Sequence, residues 1–311
     1  GIGNTPLIKL KAASEITGCS IYGKAEHLNP GGSVKDRAAL ALIKDAEEKK
    51  LIKKGGTIVE GTAGNTGIGL CLLGNSLGYK TIIVMNDNQT QEKKDMLRNI
   101  GADLRLVPPK PYKNDDNFVK VAGRLAEELR PNNNNGVVWA NQFDNLANRR
   151  AHYETTGPEI WNELDGNVDG FTCSVGTGGT LAGTVMALKE RNADIVAACT
   201  DPMGSVLYEY YTSGEIKTEG SSITEGIGQG RVTDNLQGVS MDTAFRVPDK
   251  EALPIIFDLH PIFCRQFIKF LMVSFCATVT SHKYIAPLRL ARFPPYTYGV
   301  KDYRFVTVLI L

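Results

Sequence analysis

Residues 57–70 have the sequence TIVEGTAGNTGIGL, which combines a short apolar run, a glycine-rich turn and a second apolar stretch. The β-branched residues Thr57, Ile58 and Val59 favour a buried strand. The apolar residues after Thr66 predict a helix that begins at the end of the turn. A strand that passes through a glycine-rich turn into a helix is a building unit of α/β folds.

The same alternation of strand and helix extends along most of the chain. Apolar runs predict strands at 81–85, 104–107, 136–139, 170–174 and 195–199, and longer stretches predict helices at 36–50, 91–100, 117–129 and 181–189. Strands that alternate with helices form parallel sheets covered by helices. We therefore expect an α/β fold, and 311 residues leave room for two domains or one large one.

Two glycine-rich turns contain the residue types of anion-binding sites. In the turn at 62–66, Thr62 and Thr66 offer hydroxyl groups and Asn65 offers an amide, which suits a carboxylate. The alternative for this segment is an ordinary strand-to-helix turn. At 175–180, the sequence VGTGGT lies between a predicted strand and a predicted helix, as phosphate-binding turns do.

Lys35 lies in a third segment, residues 29–37, with the sequence NPGGSVKDR. It follows two glycines at the predicted start of a helix. Partial burial beside positive helix dipoles lowers the pKa of a lysine and provides a neutral amine that can attack an aldehyde. The same position also suits a solvated surface lysine, so Lys35 alone does not identify a site.

Taken together, these segments resemble the fold-type II pyridoxal-phosphate enzymes, most closely the branch that contains cysteine synthase and cystathionine beta-synthase. The matching motifs are GNTPL at 3–7, NPGGSVKDR at 29–37, the turn at 62–69, NQF at 141–143, GTGGT at 176–180 and EGIG at 225–228. They follow the order of the family from residue 1 to about residue 258. The combination is more specific than any single glycine-rich turn.

The resemblance implies a site for pyridoxal 5'-phosphate. The lysine that matches Lys35 forms the Schiff base with the cofactor, and Asn65 is expected to bond the ring hydroxyl of the cofactor. The phosphate-binding residues that it implies are Gly176, Thr177, Gly178, Gly179 and Thr180. The substrate-binding residues that it implies are Thr62, Ala63, Gly64, Asn65, Thr66, Gln142 and Gly226, with the substrate carboxylate on Thr62, Thr66 and Gln142. Ala63 departs from the family, because many relatives carry serine there.

The implied reaction is a β-replacement, which makes the chain a transferase of cysteine biosynthesis. Lys35 would remove the α-proton of an activated serine such as O-acetylserine, and sulfide would add to the resulting aminoacrylate to give L-cysteine. A catalytically impaired cofactor-binding protein and a lyase similar to cystathionine beta-synthase or serine dehydratase are alternatives. A nicotinamide oxidoreductase is suggested by residues 176–178 and Asp201, but Leu181 stands where its fingerprint requires a third glycine.

The family also implies two three-layer α/β domains, similar to the β subunit of tryptophan synthase, with the cofactor between them. We expect a smaller, mobile domain at 36–145 with the carboxylate-binding turn, and a larger domain at 1–35 and 146–311 with the phosphate-binding turn. From His260 onward the pattern of the family is lost. The strand that ends in a serine at the pyridine nitrogen is not recognisable, and only Ser274 and Ser281 are candidates for that serine. We therefore expect part of a sheet to be unpaired.

Composition argues against other classes of function. A net charge of +1 with scattered basic residues gives no case for nucleic-acid binding. The 6 cysteines lack a C-x-x-C pair and the 4 histidines lack ligand spacing, so we expect neither a metal site nor a disulfide framework. Cysteine usage suits a reducing compartment, the cytoplasm or alternatively the mitochondrion. The apolar stretch at 267–276 is too short to span a membrane, and the resemblance implies a homodimer.

Overall fold

A computed structural model describes residues 1–62, 64–259 and 304–309. The strands are β1 (Leu7–Lys9), β2 (Ser20–Ala25), β3 (Thr57–Gly61), β4 (Lys80–Asn86), β5 (Asp103–Val107), β6 (Val137–Trp139), β7 (Gly170–Ser174), β8 (Val196–Pro202), β9 (Thr243–Val247) and β10 (Arg304–Leu309). The α-helices are α1 (Lys11–Thr17), α2 (Lys35–Glu48), α3 (Asn65–Leu77), α4 (Gln91–Asn99), α5 (Phe118–Leu129), α6 (Ala147–Ala151), α7 (Gly157–Glu163), α8 (Gly179–Arg191), α9 (Leu207–Ser213) and α10 (Asp249–Leu259). Short 3-10 helices occur at Glu26–Leu28, Arg130–Asn132 and Asp234–Leu236, and a π-helical turn at His152–Thr156.

The chain folds into two compact units. The first unit comprises Gly1–Ile2 and Asn29–Ala151, and the second comprises Gly3–Leu28 and His152–Leu311 as far as it is described. The domain boundaries and the mobility expected from the sequence stay predictions.

The first unit is built on a four-stranded parallel sheet with the strand order β5-β4-β3-β6. Successive residues of β3 point to opposite faces, as the period of a strand requires. Ile58 packs with Leu42 and Leu70 of α2 and α3 on one face. Val59 packs with Ala122 of α5 on the other face. Because both faces are covered, β3 is buried along its whole length and the unit has three layers.

The second unit contains a six-stranded sheet with the order β1-β2-β10-β7-β8-β9. All neighbouring strands are parallel except β1, which pairs antiparallel with β2. Helix α8 follows β7 and is buried over most of its length, with Leu181, Val185 and Leu188 among its buried residues. Its charged residues lie in the last turn.

Strand β10 corrects the expectation of an unpaired sheet. It lies between β2 and β7 and pairs with both of them, so that Val306 is aligned with Tyr22 on one side and Phe171 on the other. Its sequence RFVTVL is rich in β-branched and aromatic residues, which explains why it forms a strand although it does not resemble the family. A Cβ atom at Gly170 would lie 2.4 Å from Cδ1 of Phe305, so this glycine is needed for the Phe305 ring to pack. Ser274 and Ser281 lie outside the described residues.

The α/β fold class and the parallel sheets predicted from the sequence are confirmed. Every predicted strand is present, and the predicted helices agree with α2, α4, α5 and α8 to within two residues at each end. Helix α8 begins at Gly179, two residues earlier than predicted, because the last residues of the glycine-rich turn already form its first turn. Among the described residues, no helix is long and apolar enough to cross a membrane.

Candidate active site

Lys35 is the first residue of α2 and is half-buried. Its backbone N–H donates to Oγ of Ser33 at 3.2 Å, which satisfies one of the free donors at the helix start. The backbone N–H of Gly31 donates to the carboxylate of Asp36, in the first turn of the same helix. A Cβ atom at Gly31 would lie 2.4 Å from Oδ1 of Asp36. The glycine therefore allows the turn at 29–34 to fold back onto the helix and fix the position of Lys35.

Helix α3 begins at Asn65, directly after the carboxylate-binding turn predicted at 62–66. The N–H of Gly64 donates to Oγ1 of Thr62 at 3.3 Å. Thr62 and Thr66 are buried, whereas Gly64 and Asn65 are half-buried. The N-terminus of this helix offers backbone donors and the positive end of the helix dipole to a carboxylate. Ala63, predicted as a substrate-binding residue, lies outside the described residues.

Gln142 joins this turn from the segment after β6. Its Oε1 accepts a hydrogen bond from Oγ1 of Thr66 at 2.5 Å, and its Nε2 donates to the carbonyl oxygen of Gly61 at 3.5 Å. The carbonyl oxygen of Gln142 accepts from Nδ2 of Asn148 at 2.8 Å. Gln142 is itself buried. The structure thus brings together Thr66 and Gln142, which are 76 residues apart in the chain.

Glu60 is a buried acid next to the predicted carboxylate-binding turn, and no role was assigned to it from the sequence. Its side chain is fully buried, and within the described part of the chain neither carboxyl oxygen has a hydrogen bond of normal geometry. Burial raises the pKa of Glu60 to about 8, although nearby donors of Gln142 and Asn141 partly oppose this effect. The signal available in the sequence was an acid inside the otherwise apolar run of β3.

The turn predicted to bind phosphate connects β7 to α8. Gly178 has φ +89°, and a Cβ atom there would lie 2.5 Å from Cγ of Leu236. A Cβ atom at Gly176 would lie 2.6 Å from the carbonyl oxygen of Gly226. Both positions therefore require glycine for reasons of backbone geometry and close approach. Gly179 begins the helix, and no acidic residue lies in the first turn to repel an anion.

Two threonines and a histidine complete the surroundings of this turn. The carbonyl oxygen of Thr177 accepts from Oγ1 of Thr233 at 2.8 Å, which ties the turn to the segment that contains Thr233. Oγ1 of Thr180 lies 3.2 Å from Nε2 of His152. From the sequence, His152 was expected to be a surface histidine or a core histidine with satisfied partners. It is a buried core histidine in contact with a predicted cofactor ligand.

The predicted site residues divide between the two units. Lys35, Thr62, Gly64, Asn65, Thr66 and Gln142 belong to the first unit, and residues 176–180 and Gly226 belong to the second. Gly226 is exposed and has φ +80°. In the described part of the chain, no group of three or more His, Cys, Asp or Glu side chains could hold a metal ion.

The donor set fits pyridoxal phosphate. The turn at 176–180 combines the N-terminus of α8 with two threonine hydroxyls, which are the groups that bind a phosphate dianion. Lys35 carries a primary amine, the group that forms an imine with an aldehyde. The model of the family described as pyridoxal-phosphate dependent enzyme matches residues 1–258. The chain belongs to the pyridoxal-phosphate dependent enzyme family. Its cofactor is pyridoxal phosphate, as the sequence predicted.

Relatives place the chain within this pyridoxal-phosphate family more narrowly. Cysteine synthase 1 of Neurospora crassa is 55% identical over 261 residues, which are 82% of this chain and 68% of the relative. Cysteine synthase 1 of Emericella nidulans is 54% identical over 261 residues, 82% of this chain and 69% of the relative. The solved structure of O-acetylserine dependent cystathionine beta-synthase from Helicobacter pylori has a TM-score of 0.77 and 30% identity, covering 99% of this chain and 92% of that structure. The predicted resemblance to the cysteine synthase and cystathionine beta-synthase branch is confirmed.

Proposed function

We propose that this member of the pyridoxal-phosphate family catalyses a β-replacement on an activated serine such as O-acetyl-L-serine, with sulfide as the nucleophile and L-cysteine as the product. The observation that carries the proposal is the 55% identity with a protein named cysteine synthase over 261 residues. The family match over residues 1–258 also contains every site residue named above. Bound pyridoxal phosphate supplies the electron sink that makes the α-proton of an amino acid acidic and lets the β substituent leave.

In this proposal Lys35 holds the cofactor and moves the proton. With pyridoxal phosphate bound, Nζ of Lys35 would hold the aldehyde group of the cofactor. When released from it, Nζ would remove the proton from Cα of the substrate and return it to the same carbon at the end of the reaction. The start of α2, fixed by Ser33 and by the Gly31 to Asp36 hydrogen bond, keeps this amine in one place.

The turn at 62–66 binds the substrate carboxylate. Thr62, Thr66 and Gln142 are the side chains for this role, and the positive end of the helix dipole at the N-terminus of α3 adds to them. The hydrogen bond between Thr66 and Gln142 orients both groups before substrate binds. Asn65 is assigned to the ring hydroxyl of the cofactor.

The turn at 176–180 binds the phosphate of the cofactor. Backbone N–H groups of Gly176, Gly178 and Gly179 and the hydroxyls of Thr177 and Thr180 serve as donors. Gly226, whose carbonyl oxygen is close to Gly176, contributes to the substrate side of the site.

A second candidate is a cofactor-binding protein with impaired catalysis. The family carries a serine at the pyridine nitrogen, and that nitrogen partner controls how strongly the cofactor withdraws electrons. The sequence does not contain a recognisable match to the motif with this serine. A lyase of the cystathionine beta-synthase or serine dehydratase type would share the same residues and differ in the acceptor.

Spectroscopy and product analysis test the proposal together. Purified protein with pyridoxal phosphate should become yellow, and borohydride should fix the cofactor on the peptide that contains Lys35. O-acetylserine and sulfide should then yield cysteine. Lys35→Ala should abolish fixation and product, whereas Lys44→Ala, which changes an exposed lysine of the same helix, should change neither. Colour without cysteine would favour the impaired protein, and absence of colour would refute both candidates.

The partners and the compartment complete the proposed function. We infer a homodimer that uses an amino-acid substrate and sulfide in a reducing compartment, the cytoplasm or the mitochondrion. Among the described residues, the buried cysteines that form no disulfide are Cys19, Cys71, Cys173 and Cys199. Burial raises the pKa of Cys71 to about 12, so this thiol is unreactive at neutral pH. Sedimentation equilibrium of the purified chain tests the dimer, since a monomer mass at micromolar concentration would contradict it.

A further inference from the structure

His152 lies between two threonine hydroxyls in the core of the second unit. Its Nδ1 is 2.8 Å from Oγ1 of Thr156, and its Nε2 is 3.2 Å from Oγ1 of Thr180. His152 is 1% exposed, Thr156 0% and Thr180 7%, so bulk water does not compete for these contacts. The imidazole thus connects the π-helical turn at His152–Thr156 to the first turn of α8, which is the end of the glycine-rich turn at 176–180.

The direction of these two hydrogen bonds decides what Thr180 can offer to an anion. A neutral imidazole has one N–H donor and one acceptor nitrogen, and a hydroxyl has one proton. If Nε2 carries the proton, it donates to Oγ1 of Thr180, and the hydroxyl proton of Thr180 stays available for another acceptor. If Nδ1 carries the proton, Nε2 accepts from Thr180, and that threonine has only lone pairs left. A phosphate needs donors, so only a protonated Nε2 is compatible with binding through this hydroxyl.

We propose that His152 is a positioning residue that presents Nε2–H to Thr180 and so directs the hydroxyl proton of Thr180 toward the phosphate of the cofactor. This inference rests on the proposed function, in which Thr180 is a phosphate ligand. Thr156 completes the arrangement by donating its own hydroxyl proton to Nδ1. The histidine does not touch the reacting atoms.

Tight packing keeps the imidazole in this arrangement. The π-helical turn and the helix after it lie directly on α8, and a Cβ atom at Gly157 would lie 2.5 Å from Cβ of Ala187. A contact this close leaves no room for the turn to shift toward α8. The ring itself is buried, and each of its two nitrogens lies within hydrogen-bond distance of a different threonine.

The protonation of the two nitrogens can be measured without cofactor. Long-range proton–nitrogen correlation spectra of protein labelled with nitrogen-15 at histidine distinguish a nitrogen that bears a proton from one that does not. His152→Gln identifies the signal by its loss. A protonated Nε2 is the expected result. A bare Nε2 with a proton on Nδ1 would overturn the proposal, whether or not the protein binds pyridoxal phosphate.

Two substitutions of His152 by amides of similar size distinguish a role in orienting Thr180 from a role in packing. In His152→Gln the amide nitrogen can reach the place of Nε2, whereas in His152→Asn the shorter side chain reaches only the place of Nδ1. We expect the dissociation constant of pyridoxal phosphate to rise about tenfold or more for His152→Asn and to stay within about threefold for His152→Gln. The phosphorus-31 resonance of the bound cofactor should move for His152→Asn only. Equal losses in both variants would contradict the proposal.

A double substitution tests whether His152 acts through Thr180. In a Thr180→Val background, His152→Asn should cause no further loss of cofactor affinity, because the hydroxyl that it positions is gone. Additive losses in the double variant would show that His152 acts through packing and would overturn the proposal. If the wild-type chain bound no pyridoxal phosphate, the proposed function would fail, and the nitrogen-15 spectrum would still decide the protonation of His152.

Discussion

Oγ1 of Thr66 donates a hydrogen bond to Oε1 of Gln142 at 2.5 Å, and this contact joins the start of α3 to the segment that follows β6. Both side chains are almost completely buried. Removing the hydroxyl would leave the buried Oε1 with one donor fewer and free the amide to rotate. The pair therefore holds the Gln142 amide against the start of α3.

Thr66→Val should weaken binding of the amino-acid substrate. Valine keeps the shape of threonine but loses the hydroxyl that donates to Oε1 of Gln142, so the Gln142 amide is no longer held in the orientation proposed for binding the substrate carboxylate. We expect KM for O-acetylserine to rise roughly tenfold to a hundredfold. Thr66→Ser is the matched control and should stay within about threefold. Steady-state kinetics measure this effect, and equal KM values for the two variants would contradict the assignment of Thr66.

Glu60 should make the first unit less stable as the pH rises. Its pKa is about 8 in the folded protein and 4.5 in the reference state, so the unfolded chain binds fewer protons between these values. The free energy of unfolding therefore falls as the pH increases from about 4.5 to about 8, by at most roughly 5 kcal/mol. Glu60→Gln should remove this dependence.

Chemical denaturation at several pH values tests the role of Glu60. The variant Glu60→Gln should gain stability relative to the wild type as the pH is raised toward 8, because it has no proton to lose. Burial also raises the pKa of Asp201, in the second unit, to about 6. Asp201→Asn is therefore the matched control, because it removes a buried acid that lies outside the first unit. If the difference in free energy of unfolding between Glu60→Gln and wild type stayed constant from pH 5 to 8, Glu60 would not be a protonated acid in the folded protein over that range.

Gly178→Ala should lower the free energy of unfolding by more than an alanine substitution at a positive φ angle does when no other atom is close. Gly178 has φ +89°, and the added methyl group would lie 2.5 Å from Cγ of Leu236. Gly214 has φ +77° with no atom within 4 Å of an added Cβ atom, so Gly214→Ala measures the backbone effect alone. That effect is about 1 kcal/mol, and overpacking adds about 1–3 kcal/mol for Gly178→Ala. Urea denaturation of both variants compares them, and equal losses would show that Leu236 simply moves aside.

Lys24 should be essential for the stability of the second unit. Its ammonium is fully buried, lies 2.9 Å from Oε2 of Glu159, pairs with Glu163 and donates to the carbonyl oxygen of Thr5. Removing one partner from a buried ion pair leaves uncompensated charge. Lys24→Met should therefore reduce the free energy of unfolding by about 3–5 kcal/mol.

An exposed ion pair supplies the control for Lys24. Lys11 and Glu15 form a pair at 3.9 Å on the surface of α1, and Lys11→Met should change stability by less than about 0.5 kcal/mol. Adding Glu159→Gln and Glu163→Gln to Lys24→Met should restore part of the lost stability, since the unpaired acids are gone. Thermal denaturation of the single and combined variants distinguishes lost charge pairing from lost side-chain volume.

The sequence alone predicts the alternation of strands and helices and the three site motifs. Each of these features depends on residues that are contiguous in the chain. The period of apolar residues predicts β3 and β4, and glycines beside hydroxyl-bearing residues predict the turns at 62–66 and 176–180. Lys35 at the start of α2 is recognisable for the same reason. Local propensity and short-range spacing are sufficient for these features.

Tertiary structure decided the features that depend on residues far apart in the chain. Strand β10 lies between β2 and β7 and pairs with both of them, although it is distant from both in the sequence. His152 meets Thr180 across 28 residues, and the sequence around either one does not predict that contact. Glu60 acquires its raised pKa from complete burial, which no local pattern specifies. Packing and desolvation are properties of the assembled core, and for this reason only the folded chain determines them.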